Sequence, residues 1–230
     1  MEPRSSEQAR WLANITPDFF VQWFQQHGRS FPWREPGTSP YGVLVAEMLL
    51  RQTRASMVAP VWVELVQRYP NPQALVAASP EGLHEIVWRL GFGRQRVTAL
   101  LSMAQAVTRH HGGMIPNRVE ELERLPHVGP YTARAVCCFA FGQQLAIVDS
   151  NVLRVLSRLT GCEFPRDIRR SRARRAWEVA GCLVPAGAAR EHNLGLLDFA
   201  AEVCRPVNPC CDACPLAQQC HHARRSYDAG

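Results

Sequence analysis

The chain has 230 residues, of which 47% are hydrophobic, so it is long enough to bury the core of one large domain or two small ones. Its formal net charge is +6, and all 26 basic residues are arginine, which leaves the chain without lysine. This composition excludes a lysine-dependent phosphate loop and a side-chain Schiff base. It suits nucleic-acid binding, since arginine binds phosphate bidentately and stacks on bases.

Hydropathy and cysteine usage indicate where the protein is located and whether it binds metal. No apolar run approaches the roughly eighteen residues of a membrane span, and the N-terminal stretch lacks the apolar core of a secretory signal. We therefore expect a cytoplasmic, nucleoid-associated protein with no membrane partner. Nine cysteines in a chain of this kind indicate metal binding rather than disulfides.

The predicted elements, in chain order, all have helical period. Thr16 caps a first helix that begins at Pro17, and a proline-rich loop follows it. Residues 41–53 are apolar nearly all round, which predicts a buried helix with Glu47 as the only charge among its first ten positions. Glu47 either faces solvent or is buried, and burial would raise its pKa.

Further amphipathic segments predict an all-α fold. They lie at 58–69, 80–90, 97–107, 119–125, 130–141, 152–159 and 193–204, and no convincing run has the strand period. Between 166 and 175 lie six arginines, which either follow a DNA backbone or form a solvated helix face.

The segment 125–133, LPHVGPYTA, predicts a helix end, a tight hairpin and a new helix that opens with Pro130. Backbone N–H groups in such a hairpin and in the first helical turn lack intrahelical partners, so they form an anion site that suits a nucleic-acid phosphate. A Gly-Pro turn is also common in α-proteins for purely structural reasons. The helix after the hairpin leads through apolar residues to Asp149.

Four of the cysteines form a spaced motif near the end of the chain. Cys204, Cys211, Cys214 and Cys220 read C-x6-C-x2-C-x5-C, and four thiolates on a compact loop can hold an iron-sulfur cluster or one zinc ion. Cys210 lies beside this motif outside its spacing. The remaining cysteines are predicted to be small core residues: Cys137, Cys138, Cys162 and Cys182.

Together these motifs resemble the helix-hairpin-helix DNA glycosylase superfamily. LPHVGPYTA is similar to its LPGVGxxTA hairpin, and the cysteine spacing resembles the [4Fe-4S] loop of endonuclease III and of the adenine mismatch glycosylases. The segments FPWRE, AEMLLRQT and NLGLLDFAAEVC extend the resemblance over nearly the whole chain. One departure is His127, which replaces the first hairpin glycine and would be modestly strained if that position needs a positive φ.

The resemblance implies a two-lobed fold with DNA held in the groove between the lobes. Residues 37–144 would form a six-helix barrel domain that carries the hairpin, and 1–36 with 145–230 would form the iron-sulfur cluster domain. The four spaced cysteines would bind a [4Fe-4S] cluster.

The resemblance also assigns roles to residues. Glu47 and Asp149 would be the catalytic carboxylates, with Asp149 beside the sugar and Glu47 handling the proton or the water. Tyr131 falls where lyase-competent members keep their Schiff-base lysine, although packing at the hairpin exit is an alternative role for it. Gln52 would fill the space left by the flipped base, and Arg51 would contact the opposite guanine or a flanking base. The full predicted DNA-binding set is Arg51, Gln52, His127, Val128, Gly129, Tyr131 and Thr132.

The implied function is removal of thymine or uracil mispaired with guanine from double-stranded DNA by a monomeric enzyme that leaves an abasic site. Two alternatives remain: an adenine-DNA glycosylase acting opposite guanine or 8-oxoguanine, and a non-catalytic helix-hairpin-helix module that binds DNA. Only ten residues follow Cys220, so the separate C-terminal domain of the adenine enzymes is not expected, which favours the thymine branch.

Overall fold

The computed structural model describes residues 18–165 and 170–227, and its regular elements are all helical. The predicted all-α class is confirmed, since no strand occurs in the described part of the chain. The α-helices are α1 Phe19–His27, α2 Pro40–Leu49, α3 Ala55–Arg68, α4 Pro72–Val76, α5 Pro80–Val87, α6 Gly93–His111, α7 Val119–Leu122, α8 Pro130–Phe141, α9 Ser150–Thr160, α10 Arg170–Leu183, α11 Ala189–Glu202 and α12 His221–Tyr227. Short 3-10 helices span Pro32–Arg34, Trp88–Leu90 and Ala217–Gln219.

The chain folds into two compact units. The middle unit comprises Ser30–Gln143, and the terminal unit combines the residues up to Arg29 with those from Gln144 onward. Their assignment as a barrel domain over 37–144 and a cluster domain over the rest stays a prediction. Among the described helices, none has the combination of length and apolarity that crossing a membrane requires.

One predicted helix needs correction, and helices α4 and α10 were not among the predicted segments. The helix predicted over 41–53 ends at Leu49, because the backbone reaches a left-handed conformation at Gln52, with φ 58°. Helix α4 was not predicted, since five residues are too few to show a period; it is opened by Asn71, whose side chain accepts a hydrogen bond from the Ala74 N–H at 2.8 Å. Thr16 and Pro17, the predicted start of the first helix, lie outside the described residues.

Helix α2 is the centre of the middle unit. Ser39 caps it by accepting a hydrogen bond from the Gly42 N–H at 3.1 Å, and every residue from Tyr41 to Leu49 is buried. The helix packs against α3, α6 and α8, and Trp62 of α3 donates a hydrogen bond to the Gly42 carbonyl at 2.8 Å. An apolar helix with no polar face is stable only when it is enclosed in this way.

Close packing of α1 against α11 organises the terminal unit. Gly195 of α11 lies against the backbone of Phe20, where a Cβ atom would overlap the Phe20 carbonyl oxygen. Arg29 then fixes the end of α1, because its Nε and backbone N–H donate to the two carboxylate oxygens of the fully buried Asp198, at 2.8 and 2.9 Å. The residue at position 195 therefore sets how closely these two helices approach.

Replacing Gly195 with alanine is expected to lower the free energy of unfolding by about 3 kcal/mol, since a backbone carbonyl cannot move aside as a side chain can. Gly181→Ala is the matched control, because Gly181 also lies in a helix but a Cβ there meets no atom within 4 Å. That substitution should instead stabilise by roughly 0.5–1 kcal/mol. Urea denaturation of both variants provides the measurement, and equal effects would contradict the packing argument.

His192 is a buried titratable group at the same helix contact. It is 1% exposed, and its ring meets Phe20 edge to face with centroids 5.4 Å apart. Among the described residues its Nδ1 atom has no hydrogen-bond partner. Burial lowers the pKa of His192 from 6.5 to about 4, because the charged imidazolium loses its hydration there.

Folding should therefore weaken on acidification between pH 6.5 and 4. The unfolded chain, with its ordinary histidine pKa, binds this proton at a higher pH than the folded chain does. Acidification from pH 6.5 to 4 therefore lowers the free energy of unfolding by on the order of 3 kcal/mol in total. Urea midpoints at pH 7.5 and pH 5 measure the loss. It should shrink in His192→Phe, and it should persist in His110→Gln, which alters an exposed histidine of α6.

Candidate functional site

Glu47 lies inside the middle unit, on the buried helix α2. Its exposure is 5%, so the alternative of a solvent-facing glutamate is wrong. Helix α2 is entered through the Ser39 cap and Pro40, which places Glu47 two turns further along an enclosed helix. Because an ionisable group buried in an apolar helix is costly, Glu47 is a candidate for chemistry rather than for solubility.

The segment after α2 borders an open cleft of about 380 Å³, whose lining includes Arg51, Gln52, Phe92, Arg96 and His127. Three of these residues have left-handed backbones: Gln52 at φ 58°, Phe92 at φ 55° and His127 at φ 62°. A non-glycine residue in that region costs roughly 1–2 kcal/mol, and such strain clusters at functional sites. Phe92 is also 61% exposed, which is unusual for so large an apolar side chain.

Arg96 of α6 forms part of the wall of this cleft and is 7% exposed. Its guanidinium donates to four backbone carbonyls and one hydroxyl, at Gly91, Met48, Leu49, Arg51 and Thr53, with separations of 2.6 to 3.5 Å. Burial, with the neighbouring Arg51 as a second cause, lowers the pKa of Arg96, but an arginine remains charged at physiological pH. The cation therefore faces the negative end of the α2 dipole.

The hairpin has the predicted conformation. His127 has φ 62°, so the position does require the left-handed region, and Gly129 precedes Pro130 at the first position of α8. Val128 is buried, with its N–H donating to the Leu125 carbonyl at 3.2 Å, while Tyr131 is half-buried. Thr132 is buried on the first turn of α8. The turn is therefore held by its own core contacts, and the start of α8 directly after it stays the predicted anion site.

Arg51 connects the α2 loop to this hairpin, since its Nη1 atom donates to the His127 carbonyl oxygen at 3.2 Å. Three members of the predicted DNA-binding set thus meet at one cleft, namely Arg51, Gln52 and His127. Sequence reasoning missed Phe92 and Arg96 at the same cleft. The signal for Phe92 was a large aromatic residue within a glycine-rich turn, LGFG; the contacts of Arg96 had no local signal.

Asp149 belongs to the terminal unit, where it is the N-cap of α9. Its Oδ1 accepts a hydrogen bond from the Val152 N–H at 2.7 Å, and its Oδ2 accepts one from the Asn151 side-chain amide at 2.7 Å. Both oxygens thus have donors, and the positive end of the α9 dipole favours a carboxylate at this place. The side chain remains partly exposed, so it is held in one orientation without being enclosed.

Residues beyond the first turn hold Asp149 in place. Arg154 donates to the Asn151 side-chain oxygen at 2.9 Å and to the Cys204 carbonyl at 2.9 Å. On the other side, Asn193 of α11 accepts from the Ile147 N–H at 3.2 Å and donates to the Leu145 carbonyl at 2.7 Å. Sequence reasoning did not identify Arg154 or Asn193 as supports of Asp149. Asp149 itself is a recognisable cap, because it is an aspartate directly before an amphipathic helix.

The four spaced cysteines all line one small apolar cavity in the terminal unit, where Leu159, Phe199 and Val203 supply apolar walls. Among the described His, Cys, Asp and Glu side chains, no three are arranged so that they could hold one metal ion. Arg158 approaches the group, since its Nη1 atom lies 3.5 Å from the Cys204 Sγ atom. Cys210 also lines the cavity, and its Sγ atom accepts from Arg205 at 2.9 Å.

Two of the spaced cysteines lie where burial disfavours the thiolate form. Burial, followed by the effect of the neighbouring cysteines, raises the pKa of Cys214 to about 11, and burial also raises the pKa of Cys211. Four soft thiols enclosed together are therefore chemically suited to a cationic metal group, which would supply the compensating charge. The predicted core role holds for Cys137 and Cys138, which are buried. It does not hold for Cys182, which is exposed, and Cys162 is only half-buried.

The arginine run lies partly outside the described residues, which omit 166–169. Arg174 and Arg175 are exposed on α10, and Arg174 forms an ion pair with Glu178 one turn later, at 3.5 Å. This part of the run has the character of a solvated helix face.

Comparison with known proteins defines the class. Residues 45–179 match the family described as HhH-GPD superfamily base excision DNA repair protein. The chain is 36% identical over 210 residues to an adenine DNA glycosylase of Mycobacterium tuberculosis, covering 88% of this chain and 66% of that relative. It is 37% identical over 203 residues to a thymine/uracil-DNA glycosylase of Pyrobaculum aerophilum, covering 87% of each.

A solved structure agrees with these relatives. A thermostable thymine-DNA glycosylase superposes with a TM-score of 0.84 at 30% identity, over 96% of this chain and 98% of that one. The chain therefore belongs to the HhH-GPD superfamily of base excision DNA repair proteins. The members it resembles are DNA N-glycosylases, enzymes that release a base from DNA, and the resemblance inferred from the motifs is confirmed.

Proposed function

We propose that the chain removes thymine or uracil mispaired with guanine and leaves an abasic site. The observation that carries base excision itself is the pair of candidate acids, Glu47 buried on α2 and Asp149 held at the N-terminus of α9. The likeness to thymine-specific relatives and the tyrosine at position 131 support thymine or uracil as the base.

In this proposal the two acids divide the chemistry. Cleavage of an N-glycosidic bond develops positive charge on the sugar, and Asp149, whose two oxygens already accept hydrogen bonds, supplies a fixed negative charge for it. Glu47 handles the proton or positions the water, a task for which an enclosed carboxyl is suited. The hairpin and the start of α8 bind a backbone phosphate, and Gln52 fills the space that the flipped base leaves.

An adenine-DNA glycosylase is the second candidate, because the mycobacterial relative of that name is nearly as similar in sequence. Both candidates need the same two acids, so the acids do not separate them. In either case the lysine-free chain has no side chain that forms a Schiff base with the opened sugar. The product should therefore be an abasic site, and strand breakage should need added alkali.

Base release decides between the candidates. Matched duplexes with T:G, U:G, A:G or A opposite 8-oxoguanine are incubated with the protein and then analysed with and without alkali. Release of thymine and uracil, with strand breakage only after alkali, is expected; release of adenine alone would transfer the protein to the adenine group. Glu47→Gln and Asp149→Asn should bind the duplex as the original protein does and lose about 10²–10⁴ in excision rate.

We further propose that Cys204, Cys211, Cys214 and Cys220 hold a [4Fe-4S] cluster. The donor set fits such a cluster, because the four thiols line one apolar cavity. Each thiolate of a [4Fe-4S] cluster binds a different iron atom. A single zinc ion would instead need all four sulfur atoms about 2.3 Å from the metal. When bound, the cluster would stabilise the loop that carries Arg205. Arg158 would donate a hydrogen bond to one of its thiolates.

Cluster binding predicts brown protein with about four irons and four sulfides per chain, measured by absorption spectroscopy and by iron and sulfide analysis. Cys214→Ala should abolish both signals and lower the thermal midpoint. Cys210→Ala is the matched control, because Cys210 lines the same cavity outside the spaced set, and it should retain both. Colourless protein containing one zinc ion would contradict the proposal.

A further inference from the structure

Two strained residues on separate loops border the cleft of the middle unit. Gln52 follows α2, and Phe92 precedes α6, yet both are exposed, both have positive φ, and both line the same cleft. Neither position is occupied by glycine, the residue that a positive φ favours. Something outside each loop must therefore hold the two backbones in this state.

Arg96 makes the contacts that do so. Its Nη2 atom donates to the Arg51 carbonyl at 3.0 Å, and its Nε atom donates to the Gly91 carbonyl at 2.9 Å. Each carbonyl belongs to the peptide unit that leads directly into a strained residue, the first into Gln52 and the second into Phe92. The dihedral φ is the rotation about the N–Cα bond that follows this planar peptide unit. Fixing the peptide unit therefore restricts φ of the strained residue.

We call these contacts of Arg96 with the two turns the Arg96 clamp. The other donors of Arg96 anchor the clamp to the core. Its Nη1 atom donates to the Leu49 carbonyl at 2.9 Å, at the end of the buried helix α2, and its Nη2 atom donates to the Thr53 hydroxyl at 2.6 Å. The planar fork of a guanidinium can reach all of these acceptors at once, which the three donors of an ammonium group cannot do. One buried cation thus spans the end of α2, the Gln52 turn and the Phe92 turn.

We propose that Arg96 is a positioning residue that presents Gln52 and Phe92 together to the DNA before the target base leaves the stack. This proposal rests on the proposed base-flipping function and adds to it the residue that preorganises the contact. The prepared pair lowers the cost of flipping because neither loop has to be ordered when DNA binds. Arg96 acts through the two loops, because its guanidinium donors are directed at protein acceptors.

Arg96→Lys tests the clamp, with Arg109→Lys at the exposed far end of α6 as the matched control. Flipping is followed by the fluorescence of 2-aminopurine placed beside a T:G mismatch, and excision by single-turnover rates on the duplex that the original protein cleaves. The lysine variant should lose tenfold or more in both, while the control stays within twofold. Amide hydrogen exchange at residues 51–54 should accelerate only in Arg96→Lys.

A double-mutant cycle separates positioning from general stability. In a Gln52→Ala, Phe92→Ala background the two presented side chains are gone, so Arg96→Lys should cost less than twofold more. An undiminished tenfold loss in that background would overturn the proposal, as would unchanged flipping and exchange in the single variant. If Arg96→Lys does not fold, Thr53→Val removes one acceptor of the clamp and should show a twofold to threefold loss under the same cycle.

These outcomes are distinct from failure of the proposed function. A protein that releases no base from any duplex would refute the glycosylase proposal. The exchange rates at residues 51–54 would still report whether Arg96 holds the loop, since they need neither DNA nor turnover.

Discussion

Helix ends are the physical constraint on which this structure depends. Every α-helix leaves N–H groups at its start and carbonyls at its end without intrahelical partners, and burial makes an unpaired group costly. In this chain, charged side chains satisfy those groups at the candidate site. Arg96 donates to the last carbonyls of α2, Asp149 accepts from the first turn of α9, and Arg154 donates to the Ala200 carbonyl near the end of α11.

The same residues consequently stabilise the fold and are the ones to which the proposed chemistry is assigned. Asp149 caps a helix with one oxygen and is oriented by Asn151 through the other, so its placement does not depend on substrate. Gln52 and Phe92 remain in left-handed conformations that the backbone disfavours, because buried donors hold their neighbouring peptide units. Under the proposed function, a site prepared in this way would need little reorganisation on binding DNA, which is the usual advantage of storing strain in a folded protein.

Much of this fold can be inferred from local pattern. Apolar periods located most of the long helices, though not α10, and Pro130 after a glycine located the start of α8. The replacement of a hairpin glycine by His127 indicated a strained position, which its φ of 62° confirms. Pattern could not place the end of α2, because residues 50–53 contain neither glycine nor proline to mark where the backbone leaves the helix. It also left Glu47 undecided between solvent and core.

The chain alone therefore settles the helical class, the hairpin, the spacing of four cysteines and the absence of a Schiff-base lysine, since each depends on residues close together or on composition. Contacts between distant segments settle the rest. Glu47 is enclosed because other helices surround α2, and the Arg51 carbonyl is held by a guanidinium 45 residues away. No local rule specifies such a contact, because it arises only when packing brings the two segments together.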